Sequence, residues 1–290
     1  MATQLQDFSA TLSGLVAATA ASVVSVHSKG ARSTGFVWRP GLIVTADDAL
    51  AEEGEVQVSP RAGTSLSAHI VGRDPTTDVA LLRIDRTDLP ALTFAAGSPA
   101  AGALAVLVGM EDGTATAALG IVCLSGPPWR SLRGGEIDAR IELDARLRLR
   151  SEGAVAIDAT GQAFGMAVFA PCRRTLVIPS ATINRVAARL EAHGRIPRGY
   201  LGLGLQPVAI EDGGGTGAMM VSVDPKGPGA AAGIHQGDVL VSWDGKPIGG
   251  VRPLLRALGP DSVGLKMALE LRRGGQTQQT VLTVGERPAD

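Results

Sequence analysis

Residues 141–165 read IELDARLRLRSEGAVAIDATGQAFG and place an arginine-rich turn between short apolar segments. The segments around this turn, IDARIEL, AVAID and QAFGMAVF, are runs rich in Val, Ile, Leu and Ala that are bounded by turn residues. Runs this short at this spacing are typical of β-strands in a barrel or a sandwich. The chain is therefore expected to be mainly β.

The same pattern continues upstream of this segment. Between residues 22 and 125 the runs are ASVVSVHS, GFVWRPGLIVTA, EVQVSP, SLSAHIVGRD, VALLRI, LAVLVG and ALGIVCLS. The chain is 45% hydrophobic but only 3% aromatic, which predicts cores built from aliphatic side chains. Its formal net charge of −1 gives no overall field that would attract nucleic acid or a membrane surface, so neither is an expected partner.

Three segments carry a family resemblance. Residues 144–161 resemble the nucleophile loop DxxxxPGNSGGPLxDxxG of the trypsin-like proteases of the HtrA/Deg family. Residues 35–50, GFVWRPGLIVTADDAL, resemble the family's GxGFVWxxxGxIVTxxHVV, and residues 74–84, DPTTDVALLRI, resemble its DPxTDLAVLKI. The resemblance implies a trypsin-like double six-stranded β-barrel over residues 21–179, with the active cleft between the barrels.

The resemblance also gives the positions of the catalytic triad, and two of the three have changed. The nucleophilic serine falls on Glu152 and the general-base histidine on Asp48, whereas Asp78 matches the aspartate that orients the base. A carboxylate cannot attack as an alkoxide, and an aspartate, with a pKa near ~4, cannot replace an imidazole at neutral pH. We therefore expect a degenerate triad and a pseudoprotease.

The turn that would form the oxyanion hole is altered as well. A glycine of the family motif falls on Arg150 and a proline on Leu149, so the N–H groups that face the reacting oxygen are not expected to be preserved. An alternative alignment places Ser151 on the nucleophile position, at the cost of an insertion before Asp158. This alternative leaves open an active serine endopeptidase with a rearranged site that lacks the family's histidine.

Four carboxylates crowd the triad position in this frame: Asp47, Asp48, Asp78 and Glu152. Like charges this close raise one another's pKa unless a positive charge intervenes. Three solutions are open: Arg146, Arg148 or Arg150 folds in as a counterion, the loops open into solvent, or a hard cation such as Ca²⁺ or Mg²⁺ binds. No known metal loop is present, so no metal and no other cofactor is expected.

Two helices are predicted around the barrels. The first covers residues 1–20, where apolar residues recur at helical spacing: Leu5, Phe8, Leu12, Leu15 and Val16. The second lies within a connecting segment, residues 180–197, with Ser180 as its predicted N-cap and Gly194 as its stop signal.

The N-terminal segment also bears on the cellular location. It lacks the basic start of a signal peptide, and no apolar run is long enough to span a bilayer. The sequence as given is therefore expected to be cytoplasmic, or periplasmic if a signal sequence has been removed.

Residues 198–287 resemble a PDZ domain of the bacterial type. RGYLGLGLQPV resembles its carboxylate-binding loop and first strand, GPGAAAGIHQGDVLVSWDGKPI its GSPAxxAGLxxGDxIxxxxGxxI motif, and VRPLLRALG its groove helix. The resemblance implies partners that are C-terminal or extended peptides, bound by strand addition.

The resemblance also implies which residues bind the peptide. The peptide-binding candidates in the loop are Tyr200, Leu201, Gly202 and Leu203, and those on the helix are Leu254, Leu255 and Leu258. The three helix leucines fit a pocket for the last peptide side chain or the domain core equally well.

Cys123 and Cys172 lack the CxxC spacing of metal and redox motifs. We expect two buried thiols that behave as small apolar residues, with a disulfide between them as the alternative.

These expectations define one favoured function and two rivals. The favoured function is a catalytically inactive HtrA-like protein that binds peptides through its PDZ domain as an adaptor, scaffold or regulatory subunit, for instance in protein quality control. The resemblance to the HtrA/Deg family implies a homo-oligomer, such as a trimer. The rivals are an active serine endopeptidase that uses Ser151, and a protein that binds a metal or another ligand in the acidic cleft.

Overall fold

The structure is a computed structural model that describes residues 3–52, 54–61, 63–170, 174–210 and 215–288. The chain forms two compact units, residues 1–196 and 197–290. Strands dominate both units, as the sequence predicts. Within the described ranges, no helix has the length and apolar character needed to cross a bilayer.

The first unit contains two closed six-stranded barrels. The elements of its first barrel are β1 (Val23–Ser28), β2 (Ala31–Arg39), β3 (Leu42–Thr45), β4 (Val56–Pro60), β5 (Leu66–Asp74) and β6 (Val79–Arg83), in the order β1-β2-β3-β6-β5-β4. Those of the second are β7 (Leu104–Glu111), β8 (Thr114–Gly126), β11 (Arg140–Asp144), β12 (Ala154–Ile157), β13 (Ala163–Phe169) and β14 (Thr175–Pro179), in the order β11-β14-β13-β12-β7-β8. Between β8 and β11, a short hairpin is formed by β9 (Trp129–Arg130) and β10 (Glu136–Ile137).

The cores of the two barrels are aliphatic, and a third apolar cluster joins them. Strand residues that point inward alternate with outward ones, so each barrel closes around its own set of Val, Ile, Leu and Ala side chains. The cluster between the barrels includes Phe36 from the first barrel and Val108 and Ile178 from the second, each at most 1% exposed. It fixes the barrels against each other and so fixes the loops at their shared cleft.

Two helices, α1 (Gln4–Thr19) and α2 (Ser180–His193), pack on this unit. Leu12, Leu15 and Val16 of α1 contact the cluster between the barrels, whereas the side chains of Leu5 and Phe8 are exposed.

Helix α2, which lies within the predicted connecting segment, is part of the core of the first unit. Ile183 and Leu190 of α2 are fully buried in the cluster between the barrels. Ser180 is the first helical residue and not the N-cap as predicted, because the cap position is taken by Pro179, which has no side-chain acceptor. The helix ends as predicted at Gly194, whose φ of +71° is left-handed.

The second unit is a five-strand path with a short strand added to it. Its elements are β15 (Gly199–Tyr200), β16 (Leu203–Ala209), β17 (Thr216–Val223), α3 (Pro228–Ala231), β18 (Val239–Trp243), β19 (Lys246–Pro247), α4 (Val251–Ala257), β20 (Lys266–Arg273), β21 (Gln276–Thr283) and β22 (Gly285–Glu286). The sheet order is β16-β17-β18-β20-β21, so β16 is an edge strand.

The expectation that Cys123 is buried is wrong. Cys123 lies on β8 and is exposed rather than buried, because its position on this long strand faces out of the barrel. Its Sγ donates to the carbonyl oxygen of Glu142 over 3.2 Å. Cys172 lies outside the described residues, and with it the alternative of a disulfide.

The burial of α2 leads to a stability prediction. Leu190→Ala should lower the free energy of unfolding by about 2–5 kcal/mol, because it leaves a cavity between α2 and the barrels. The exposed Leu149, with 82% of its side chain accessible, provides the matched control, and Leu149→Ala should change stability by less than about 0.5 kcal/mol. Urea unfolding followed by tryptophan fluorescence measures both, and equal effects would show that α2 is not part of the core.

Candidate functional site

Asp78 is held by the turn between β5 and β6. Within that turn the carboxylate of Asp74 accepts hydrogen bonds from the N–H of Thr76 (3.0 Å), the hydroxyl of Thr76 (2.6 Å) and the hydroxyl of Thr77 (2.7 Å). Asp78 itself has φ +59°, a left-handed conformation that aspartate tolerates better than most residues. The turn therefore aims the Asp78 side chain toward the loop that follows β3.

Asp48 lies in that loop, next to Asp78. The N–H of Asp48 donates to Oδ1 of Asp78 over 2.8 Å, so the two positions are joined through backbone and side chain. The carboxylate of Asp48 accepts a hydrogen bond from Nη1 of Arg133 over 2.6 Å, and the same Nη1 donates to the carbonyl oxygen of Pro75 over 3.1 Å. A guanidinium thus contacts both the Asp48 loop and the Asp78 turn.

The hairpin of β9 and β10 delivers this arginine. The hydroxyl of Ser131 donates to the carbonyl oxygen of Thr76 over 2.6 Å and accepts from the N–H of Gly135 over 3.1 Å. A side chain at Gly135 would collide with Thr76, since a Cβ there would lie 2.3 Å from its carbonyl oxygen. The tip of the hairpin is therefore docked closely on the Asp78 turn, with Arg133 between its two anchoring residues.

Asp47 forms its ion pair with a different arginine, Arg73. Its buried carboxylate accepts from Nε of Arg73 over 2.5 Å, and the same guanidinium donates to the carbonyl oxygens of Asp47 and Ala51. Arg73 lies on β5, and this network ties β5 to the loop after β3. A buried carboxylate needs such a partner, because burying an unpaired charge is costly.

The predicted counterions are not the ones that the structure uses. Arg148 and Arg150 form ion pairs with Glu111 instead, at 3.5 Å and 2.8 Å, because the turn that carries them faces β7. Arg146 is exposed and lines a small cavity beside Ser151. The prediction that these arginines balance the triad carboxylates is therefore wrong for Arg148 and Arg150, and the structure assigns that role to Arg73 and Arg133. Arg73 and Arg133 lie outside residues 144–161, and only the tertiary structure shows that they contact Asp47 and Asp48.

Glu152, which the sequence alignment assigns to the nucleophile position, is partly buried. Its Oε1 accepts a hydrogen bond from the N–H of Phe169 over 3.2 Å, and its carbonyl oxygen accepts from the N–H of Thr34 over 2.8 Å. Burial raises the pKa of the Glu152 carboxyl, the Phe169 hydrogen bond opposes this, and the charge of Asp48 adds to the increase. The next residue, Gly153, has φ +87° and leaves no room for a side chain, since a Cβ would lie 2.1 Å from the carbonyl oxygen of Thr34.

Asp78 carries the largest electrostatic perturbation of the cluster. Burial raises the pKa of its carboxyl to about 7, and the negative charges of Asp48, Glu152 and Asp47 add to the increase. The hydrogen bond from the N–H of Asp48 acts in the opposite direction. Asp78 is thus partly protonated near neutral pH, and the cleft relieves its excess negative charge by holding a proton as well as by ion pairing.

Ser151, the alternative nucleophile, lies on the far side of the altered turn. Residues Leu149–Ser151 form one turn of 3₁₀-helix, closed by the N–H of Ser151 donating to the carbonyl oxygen of Arg148 over 2.9 Å. The serine is 3% exposed, and its Oγ lies 3.1 Å from Oγ1 of Thr116. Its hydroxyl therefore points to β8, whereas the neighbouring Glu152 is within electrostatic reach of Asp48 and Asp78.

The four histidines of the chain lie elsewhere. His27 pairs with Asp112 at 3.3 Å, His69 is exposed on β5, His193 ends α2, and His235 lies in the second unit. Over the described ranges, no group of three or more His, Cys, Asp or Glu side chains is arranged to hold a metal ion.

In the second unit, the predicted carboxylate loop is held by its own carbonyl groups. The N–H of Gly229 donates to the carbonyl oxygen of Leu201, and the N–H of Asp224 donates to that of Gly202, both over 2.8 Å. Gly202 has φ +69°, and a Cβ on it would lie 2.9 Å from Cα of Gly227. Glycine is therefore required here by the loop's own conformation, in addition to the predicted need for close approach by a ligand.

The other predicted peptide-binding residues differ in exposure. The hydroxyl of Tyr200 donates to Asp224 over 2.9 Å, and Leu203 is partly exposed at the start of β16. On α4, Leu254 is 2% exposed and belongs to the core, whereas Leu255 is 55% exposed. Leu258, just after the helix, is partly exposed and packs against the core. The open choice between pocket and core is thus settled as core for Leu254.

Comparison with protein families gives two matches. A trypsin-like peptidase domain family matches residues 33–166, and a PDZ domain family matches residues 199–284. These matches cover most of the two barrels and most of the second unit, and they confirm the predicted fold class of a trypsin-like double barrel followed by a PDZ domain.

Curated relatives align over most of this chain. The chain is 30% identical over 277 residues to a probable periplasmic serine endoprotease, DegP-like, of Brucella suis, and 29% identical over 274 residues to that of Chlamydia trachomatis. These alignments cover 90% and 89% of this chain but 53% and 55% of the relatives. The chain thus spans about half the length of the curated relatives it matches.

Solved structures agree on the fold. The serine endoprotease from Yersinia pestis superposes with a TM-score of 0.73 at 24% identity, over 95% of this chain and 98% of that one. The HtrA-type protease AlgW with a decapeptide superposes with a TM-score of 0.73 at 23% identity, over 96% and 99%.

The raised pKa of Asp78 predicts how stability depends on pH. Between about pH 4 and pH 7 the folded protein holds a proton that the unfolded chain has released, so stability should fall as pH rises through this range, by at most about 1.4 kcal/mol per pH unit. Asp78→Asn should flatten this dependence and raise the melting temperature at pH 8, because asparagine keeps the acceptor for Asp48 without a charge.

Thermal unfolding between pH 4 and pH 8 measures the effect. Asp88→Asn is the matched control, since Asp88 is exposed and its pKa is lowered by the hydrogen bond from Arg86, so it titrates below this range. An unchanged pH dependence in Asp78→Asn would show that Asp78 is not the group that holds the proton.

Proposed function

We propose that this chain, which belongs to the HtrA/Deg family of trypsin-like proteins with a PDZ domain, works by binding peptides and protein C-termini and does not cleave them. The observation that carries the proposal is the ion pair between Arg133 and Asp48 at the position of the general base. We further propose that the trypsin-like unit acts as an adaptor, scaffold or regulatory subunit, and that the protein forms a homo-oligomer such as a trimer.

The chemistry of the cleft supports the loss of catalysis. A general base must take a proton from the nucleophile near neutral pH. The Asp48 side chain is paired with the guanidinium of Arg133, which stays protonated and cannot accept a proton. Glu152 cannot form the acyl-enzyme of a serine protease, and its Oε1 accepts a hydrogen bond from the N–H of Phe169.

The rival endopeptidase has less support. Ser151 would have to leave its buried contact with Thr116 and rotate toward the cleft, and it would then meet Asp48 and Asp78 without an imidazole. Loss of a base or nucleophile from a serine-protease triad reduces kcat by a factor on the order of 10⁶. The rival cation site is weakened because Arg73 and Arg133 already supply positive charge to Asp47 and Asp48.

The PDZ unit supports the binding half of the proposal. Strand addition needs an open sheet edge and a loop that can receive a carboxylate, and β16 and residues 200–203 meet those needs. Related AlgW structures contain a decapeptide or a tripeptide. The Brucella and Chlamydia relatives are named periplasmic, so we propose the periplasm as the location, and the cytoplasmic expectation has no support among them.

The proposal predicts that no serine of the full chain is an activated nucleophile. The purified protein should digest no casein and should take up no fluorophosphonate label, because no imidazole activates Ser151. An active trypsin-like protease is the positive control, and the Ser151→Ala variant gives the background. Stoichiometric labelling that disappears in Ser151→Ala would overturn the pseudoprotease proposal.

The proposal also predicts recognition of a free C-terminal carboxylate. A peptide that ends in an apolar residue should bind with a Kd of roughly micromolar, about −8 kcal/mol, and its C-terminally amidated twin should bind at least about tenfold more weakly. The amidated twin is preferable to Gly202→Val as a control, because φ +69° and the contact with Gly227 would make that variant distort the loop itself.

Fluorescence polarisation with a library of C-terminal peptides measures these affinities. If no peptide binds better than its amidated twin, the loop of residues 200–203 is not a carboxylate site and the binding proposal fails.

A further inference from the structure

The open edge of the PDZ sheet has a hydrogen-bonding pattern that the structure defines residue by residue. Among the residues that the structure describes, strand β16 pairs with β17 on one side and with no strand on the other, so that other side is available for an added strand. In an extended strand, the N–H and C=O groups of successive residues point alternately to the two sides. The groups that an added peptide can use therefore belong to every second residue of β16.

The hydrogen bonds of Met220 on β17 fix that alternation. Its N–H donates to the carbonyl oxygen of Asp238, and its carbonyl oxygen accepts from the N–H of Gly237, both over 2.8 Å. The backbone N–H and C=O groups of Met220 therefore point away from β16. Because Leu205 lies opposite Met220 in the register, the backbone groups of Leu205 point to the open edge.

Two hydrogen bonds at the ends of β16 agree with this assignment. The carbonyl oxygen of Gly202 accepts from the N–H of Asp224 over 2.8 Å, and the N–H of Ile210 donates to the carbonyl oxygen of Gly215 over 2.9 Å. Even-numbered residues from 202 to 210 therefore face the β17 side. Odd-numbered residues of the strand face the open edge, and they are Leu203, Leu205, Pro207 and Ala209.

Pro207 is the exception among these edge positions, because proline has no N–H to donate. Its presence leaves the β16–β17 ladder intact, since the missing donor lies on the unpaired side, which is where edge strands tolerate proline. The residue is exposed, so it has no role in the core. A strand that pairs with this edge therefore finds no N–H donor at residue 207.

We propose that Pro207 limits main-chain recognition by this groove to the last four residues of a bound peptide, an inference that rests on the proposed function. In an antiparallel pair, a peptide whose last residue lies at Leu203 has its third-last residue at Leu205 and its fifth-last residue at Pro207. The third-last residue exchanges two hydrogen bonds with Leu205. The carbonyl of the fifth-last residue meets the proline ring and finds no donor.

This limit defines a class of ligand. Exposed C-terminal tails of about four residues can satisfy every backbone group that the edge offers up to Leu205. A longer extended segment gains no complete backbone pair at Pro207, because one of the two hydrogen bonds of that pair cannot form. The groove is thus suited to short free C-termini on otherwise folded proteins rather than to long unfolded segments.

The test compares two peptides on the full chain. One is an unacetylated tetrapeptide with an apolar C-terminal residue, and the other is the same sequence extended by four N-terminal alanines. The wild-type protein should bind the two with affinities within about twofold of each other. In Pro207→Ala the restored N–H should strengthen binding of the octapeptide about fivefold, which is the net effect of one hydrogen bond, and leave the tetrapeptide unchanged.

Two outcomes would overturn the inference while leaving the proposed function in place. One is an octapeptide that binds the wild-type protein much more tightly than the tetrapeptide, with no further gain in Pro207→Ala. The other is an equal change for both peptides in the variant, because proline would then act on the fold of the groove. Failure of both peptides to bind at all would reject the proposed function, and this inference with it.

Amide hydrogen exchange gives a readout that does not depend on the variant. Saturation of the wild-type protein with the octapeptide should protect the N–H of Leu205 and leave the N–H of Ala209, the next edge donor beyond Pro207, unprotected. Protection that extends to Ala209 would show that the strand pairs past the proline and would overturn the limit.

Discussion

The first and second barrels meet over a shared apolar layer, and the geometry of the cleft depends on it. Phe36, Val108 and Ile178 belong to this layer, and helix α2 closes it on one side. Burial of apolar surface contributes about 25 cal/mol per Å², so this layer holds the barrels, and with them the loops at the cleft, in place.

The negative charge of the clustered carboxylates is the second constraint on the loops at the cleft. Asp48 lies beside Asp78, so two carboxylates share a site where burial already disfavours one negative charge. In the structure Arg133 pairs with Asp48 at the cleft and Arg73 pairs with the buried Asp47, and burial raises the pKa of Asp78 to about 7. The carboxylate of Asp48 and the guanidinium of Arg133, which a distant hairpin supplies, thus form one ion pair at the cleft.

The two units depend on different parts of the polypeptide for their chemistry. Hydrolysis by a serine protease requires particular side chains in fixed positions. Strand addition relies on backbone groups, which most substitutions leave unchanged. Proline is the one residue type that deletes a backbone donor, and Pro207 places that deletion on the open edge of the sheet.

The sequence was sufficient for the order of the barrels and the PDZ unit and for the ends of α2 within a residue, because these follow from local patterns and motif spacing. The triad positions assigned to Asp48, Asp78 and Glu152 stay a prediction. The sequence pointed to the wrong arginines, misjudged the exposure of Cys123, and left the helix leucines open between pocket and core. Those features depend on which surfaces the chain brings together: Arg133 is 85 residues from Asp48 along the chain and forms its 2.6 Å contact only when the hairpin docks. Local patterns determine strands and turns, whereas the pairing of charges and the direction of edge donors are decided by packing and register, which exist only in the folded structure.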